Sequence, residues 1–170
     1  GAIQLSDTLT AINSKLKIST ASQVEFNRAL ADSQRIAIST RMSITGITDL
    51  YSKISRYTNN FSRSQRDVAR VTETVAKAIN LSGAGIQQAD AAVLQLGQGL
   101  ASGTLQGEEL RSILENAPEL ARAIALGLGK SVGQLKLLGA EGKLLSEDVF
   151  KAILSQSDAI DGNFKSAGIT

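Results

Sequence analysis

Two pairs of adjacent carboxylates are the candidates for acid–base chemistry: Glu108 with Glu109, and Glu147 with Asp148. Neighbouring side chains on a helix point about 100° apart, which sets two carboxyls poorly for joint work on one bond. Each pair also falls where a helix should begin, and acids there stabilise the helix dipole by about 0.3–1 kcal/mol. The dipole accounts for both pairs without an active site. His and Cys are both absent. That excludes nucleophiles activated by His, thiolate and imidazole metal sites, disulfides and His-based pH switches. The lack of Cys also fits a cytosolic assembly environment.

Three glycine motifs invite a nucleotide reading and fail it. Gly129-Lys130-Ser131 resembles the end of a phosphate-binding loop, but Ile124 stands where that loop needs its first Gly. Gly83-Ala84-Gly85 and Gly97-Gln98-Gly99 open like dinucleotide fingerprints, yet their third positions are Gln88 and Ser102. None follows a strand pattern. No cofactor, metal or small-molecule substrate is expected.

The remaining chemistry is charge. Lys plus Arg number 18 and Asp plus Glu 16, a net +2 that does not argue for nucleic acid. The basic excess lies in the first half, and Arg63, Arg66 and Arg70 share one helical face. A solvated face is the plain reading of that triplet, and a polyanion contact is the alternative. The six aromatics do not alternate with Arg or Lys, so a stacking platform for single strands is unsupported.

The elements positioning these groups read as helices throughout, so the expected fold is all-α. About eight or nine helices are expected, two long ones early and shorter packed ones after. A chain of 170 residues is expected to form one continuous unit, with residues 1–57 holding the long N-terminal helices and 61–170 the compact core. Leu5, Leu9, Ile12 and Leu16 form a first apolar stripe. Ser22 with Glu25 reads as a capping box, and Gly46 as a break. Val68, Val71, Val75 and Ile79 form a stripe on a helix capped by Ser64. That helix must depend on packing, since Val is a mediocre helix former. Gly83 and Gly85 are expected in a turn. Ile86, Ala89, Val93, Leu96 and Leu100 give the cleanest period in the chain. Asn116, Ser131 and Ser146 are the expected caps of the later helices, with Pro118 in the first turn after Asn116. Gly127 or Gly129, and then Gly139 and Gly142, are the expected stops. The tail from Ser155 is polar and is expected to fray.

The longest uncharged stretch, Ala91 to Gly107, contains three Gln and four Gly and is no membrane span. No signal peptide is visible, and the first residue is Gly1 rather than Met, as expected of a piece of a longer protein.

From Leu81 to Ile153 the chain resembles the tape-measure domain of phage and prophage tail proteins. The residues that carry this are Leu81-Ser82-Gly83-Ala84, then Ala92 to Gly103, then Leu105 to Ile113 and Glu115-Asn116-Ala117-Pro118. Ser131 to Leu135 and Gly139 to Leu144, leading to Asp148-Val149, complete the series. Upstream, Lys15-Leu16-Lys17 and Asp49 to Ile54 resemble the same family. Leu126 and Leu137 depart from it, standing where polar residues are expected.

The resemblance implies a non-enzymatic structural chain that occupies the lumen of the tail tube, sets its length and leaves ahead of the DNA. It implies a place in the virion tail, and in the host bacterial cytoplasm during assembly, with copies of itself and tail tube proteins as partners. It offers no catalytic residues to transfer. The expected interaction surface is Gly97, Leu100 and Gly103 with Leu126 and Leu137. The alternative is a helical scaffolding or adaptor module unrelated to tails. A carboxylate-based cell-wall hydrolase finds none of its motifs here.

Overall fold

The computed structural model describes residues 8–14, 16, 23–58 and 64–168. It is all-helical, with ten helices and no strand among the described residues. Residues 8–14 form α1. The others are α2 (Gln23–Thr40), α3 (Ile44–Thr58), α4 (Gln65–Leu81), α5 (Ile86–Ser102), α6 (Gly107–Asn116), α7 (Pro118–Leu128), α8 (Val132–Ala140), α9 (Ser146–Ser155) and α10 (Ser157–Ser166). The expected count of eight or nine is therefore short. The long helices are four rather than two, since α2 to α5 have 18, 15, 17 and 17 residues.

Helix α4 is the axis of the fold. It packs against α2, α3, α5, α7, α9 and α10. Nine of its 17 residues are buried, including Val68, Val71, Val75 and Ile79, so packing does hold this Val-rich helix. Its buried hydroxyls are satisfied within the helix. Thr72 Oγ1 donates to the Val68 carbonyl and Thr74 Oγ1 to the Arg70 carbonyl, each at 2.8 Å. Ser64 caps it, accepting from the Asp67 amide at 3.1 Å.

Helices α2 and α4 run parallel, side by side. Three side-chain contacts advance along both in the same direction. Gln65 Nε2 donates to the Glu25 carbonyl at 2.7 Å, Arg35 donates to Glu73 at 2.9 Å, and Asn80 Nδ2 donates to the Thr40 carbonyl. Helix α3 connects the end of α2 to the start of α4, so it must run against both. It packs on each of them and on α5. The chain turns from α2 to α3 at Arg41, the one described non-Gly residue with positive φ (55°). The break thus comes before Gly46, which lies inside α3 and donates its amide to Ser43 Oγ at 3.1 Å.

The later helices pack around the other side of α4. The loops after α5 and α8 pair briefly: the Leu105 amide donates to the Leu144 carbonyl at 2.8 Å, and the Ser146 amide to the Gly103 carbonyl at 2.9 Å. Ser146 does not cap α9. It is buried, and its Oγ donates to the Gly99 carbonyl at 3.1 Å, while Leu145 takes the cap position. Asn116 likewise ends α6 rather than capping α7, and Ala117 precedes Pro118 as the cap. Ser131 and Gln134 do form the expected capping box, at 3.1 and 2.8 Å.

Among the expected turn glycines, Gly83 takes positive φ, whereas Gly85 does not and instead precedes α5 as its cap. Gly129 and Gly142 end helices in the left-handed region, at φ 69° and 68°. Gly127 and Gly139 do not end anything. They lie inside α7 and α8, where a neighbour comes too close for a side chain.

The tail from Ser155 does not fray. It forms α10, which buries Ile160 and Phe164 against the body, each 5% exposed. The main apolar cluster accordingly extends from Ile12 to Ile160. Of the first stripe, Ile12 and Leu16 are buried, Leu9 is exposed, and Leu5 lies outside the described residues, as does the Ser22 cap.

Candidate interaction surfaces

The charged face of α4 is the most elaborated surface. Arg66, Arg70, Glu73 and Lys77 recur at steps of 4, 3 and 4 and so share one side of the helix. Helix α2 flanks this face on one side and α10 on the other. Lys77 Nζ donates to Glu73 at 2.7 Å and to Asp161 at 2.8 Å. Arg35 reaches Glu73 from α2, and Arg70 reaches Asp161 at 2.6 Å and Asp158 at 2.9 Å. Lys77 also sits over the Phe164 ring, 5.2 Å from its centre.

Burial opposes the charged form of each group, and the partners outweigh it. Lys77 and Arg35 hold the Glu73 carboxyl below its ordinary value, and Lys77 with Arg70 does the same for Asp161. Asp161 and Glu73 in turn raise Lys77. The network thus ties α2, α4 and α10 together through charges that remain ionised.

The predicted Arg triplet is split by this arrangement. Arg70 is committed to Asp158 and Asp161. Arg66 is exposed, and Arg63 lies outside the described residues. Sequence reasoning missed Arg28, which α2 brings to the same open cleft as Arg66. That cleft, of about 700 Å³, is bordered by α2, α4 and the α9–α10 junction.

The glycine-rich end of α5 faces inward. A Cβ on Gly97 would meet Lys53 Cδ at 3.0 Å, and one on Gly99 would meet Leu105 Cδ1 at 2.5 Å. Leu100 is 1% exposed and belongs to the core, so burial removes it from any partner surface in the folded chain. Gly103 ends α5 at φ 96°. Ile86, expected on the apolar stripe of this helix, is instead 83% exposed because the packed stretch begins only further along.

Leu126 and Leu137 are both open to solvent, at 56% and 62%. Helix α8 carries apolar side chains on nearly every side, with only Leu135 and Gly139 buried. Next to it, α6 and α8 border an apolar groove of about 430 Å³ that includes Leu110, Leu114 and Ala140.

The catalytic candidates are placed as helix-start acids. Glu108 pairs with Arg111 at 3.0 Å and Glu147 with Lys151 at 3.1 Å. Gly129-Lys130-Ser131 is the turn between α7 and α8, with Gly129 left-handed and Ser131 the next cap. Among the described residues, no group of three or more acids is placed to hold a metal, and no helix is long and apolar enough to cross a membrane.

The family model described as tape measure protein matches residues 1–170, the whole chain. This chain belongs to the tape measure protein family, which is a family of structural phage-tail proteins. No curated protein and no solved structure matches it.

Proposed function

We propose that this chain is one structural segment of the protein that sets the length of a phage or prophage tail by occupying the tube lumen. The observation that carries the reading is the family match along all 170 residues. The partners in this reading are further copies of the same protein and the proteins of the tail tube. Exposed Leu126 and Leu137 are the surface residues offered to them. The chain acts by filling space and holding shape. Assembly takes place in the host cytoplasm, before the protein is carried in the virion tail.

The test is the composition of purified tails. Tryptic digestion of tail particles should release peptides of this chain, including Val71 to Lys77. Tails that lack every peptide of the chain would contradict the proposal.

A further inference from the structure

We infer that the cleft between α2 and α4 is a docking site for an acidic segment of a partner protein, with Arg28 and Arg66 as the residues that grip its carboxylates. The inference goes beyond the tail reading and does not rest on it.

The internal network leaves two cations over. Four guanidinium groups border the cleft: Arg28, Arg35, Arg66 and Arg70. Arg35 is used by Glu73 and Asp32, and Arg70 by Asp158 and Asp161. Arg28 and Arg66 are exposed and have no ion pair among the described residues. The hydrogen bond from Gln65 to the Glu25 carbonyl pins the start of α4 against α2 one turn before Arg28. Arg66 follows Gln65 directly, so the two free guanidiniums belong to the same end of the cleft.

Arg66 is also an unfavourable residue for its place. It lies in the first turn of a 17-residue helix, where the unpaired amides already present positive charge. An incoming carboxylate would complement both the helix end and two planar forks suited to bidentate contacts.

The choice of ligand follows from the acids in the same cleft. Asp32, Asp67 and Glu73 recur along it between the arginines. A polynucleotide, with a phosphate at every step, would set like charge against each of them. A protein segment can place carboxylates at Arg28 and Arg66 and leave other positions neutral or basic. Ala69 and Leu154 give such a segment apolar ground to lie on.

The test is a titration of the full chain with a fluorescent peptide that carries two glutamates separated by neutral residues, at about 20 mM salt, where exposed charges are weakly screened. Saturable binding that weakens with salt is expected. The R28Q/R66Q variant should lose at least about tenfold in affinity. K130Q should lose nothing, since Lys130 is an exposed cation away from the cleft. The R28K/R66K variant should keep part of the affinity, and circular dichroism should be unchanged in all three. Absence of binding by this two-glutamate peptide, or equal binding by R28Q/R66Q, would overturn the assignment. So would a single-stranded oligonucleotide that binds more tightly and depends on the same two arginines, which would make the cleft a polynucleotide site.

Discussion

Gly127 of α7 lies flush against Ala152 of α9: a Cβ on Gly127 would stand 2.4 Å from the Ala152 carbonyl oxygen and 2.6 Å from its Cα. Both obstructing atoms are backbone, so no side chain can swing aside. Gly127→Ala should therefore force the two helices apart and destabilise the domain by about 1–3 kcal/mol. Gly162→Ala is the contrast. It sits inside α10 with no atom within 4 Å of the added Cβ, and should stabilise by about 0.5–1 kcal/mol. Urea unfolding of the two variants checks both signs; similar midpoints would show that α7 and α9 are not in this contact.

The α4 network should shape the pH dependence of stability. Glu73 and Asp161 have folded-state values below their ordinary ones. Their contribution is fully present above the unfolded carboxylate range and is lost as pH falls through the lowered values. Lys77 is raised, so its contribution is present below the ordinary Lys value and is lost as pH rises through the raised one. Lys77→Met should cost about 1–2 kcal/mol at neutral pH and flatten both limbs. Asp158 is 99% exposed on its side chain, so Asp158→Asn should change little. Thermal melts from acid to alkaline pH would decide this, and an unaltered profile for Lys77→Met would refute the network's role.

Tyr51 is the largest fully buried side chain, and its hydroxyl lies near Gln65 without a well-formed hydrogen bond, since the Gln65 amide donates to the Glu25 carbonyl at 2.7 Å. Burial pushes its phenol up to about 12. Tyr51→Phe removes an unsatisfied polar atom while keeping the ring, so stability should hold or rise by up to about 1 kcal/mol. A loss of about 1 kcal/mol or more in chemical denaturation would show that the contact with Gln65 acts as a stabilising hydrogen bond.

Helix α10 is held by Ile160, Phe164 and the charges around Lys77. Phe164→Ala should cost about 3 kcal/mol and release this helix before the rest. Hydrogen exchange should show amides across 157–166 losing protection while α4 keeps it. Equal loss everywhere would mean that α10 unfolds only with the whole domain.

The sequence was legible where the signal is local. Ser64 with Asp67 and Ser131 with Gln134 are caps closed within four residues, and both form as read. The Val68 to Ile79 stripe is buried as its period demands. Signals that depend on distant neighbours were not legible. Gly127 and Gly139 look like helix stops, because nothing nearby in sequence reveals Ala152 or Leu110 pressing against them. Helix α10 looks like a polar tail, since the lysine that secures Asp161 is 84 positions away. The same reason hid Arg28 from the triplet reading: it reaches the cleft on another helix. Leu100 followed the core period correctly, and only its proposed exposure to a partner conflicts with its burial.

The most direct test of the proposed length-setting role is tail length. A tandem in-frame duplication of this segment in the parent gene should give tails that are uniformly longer by electron microscopy. Tails of unchanged length that carry the duplicated protein would contradict it.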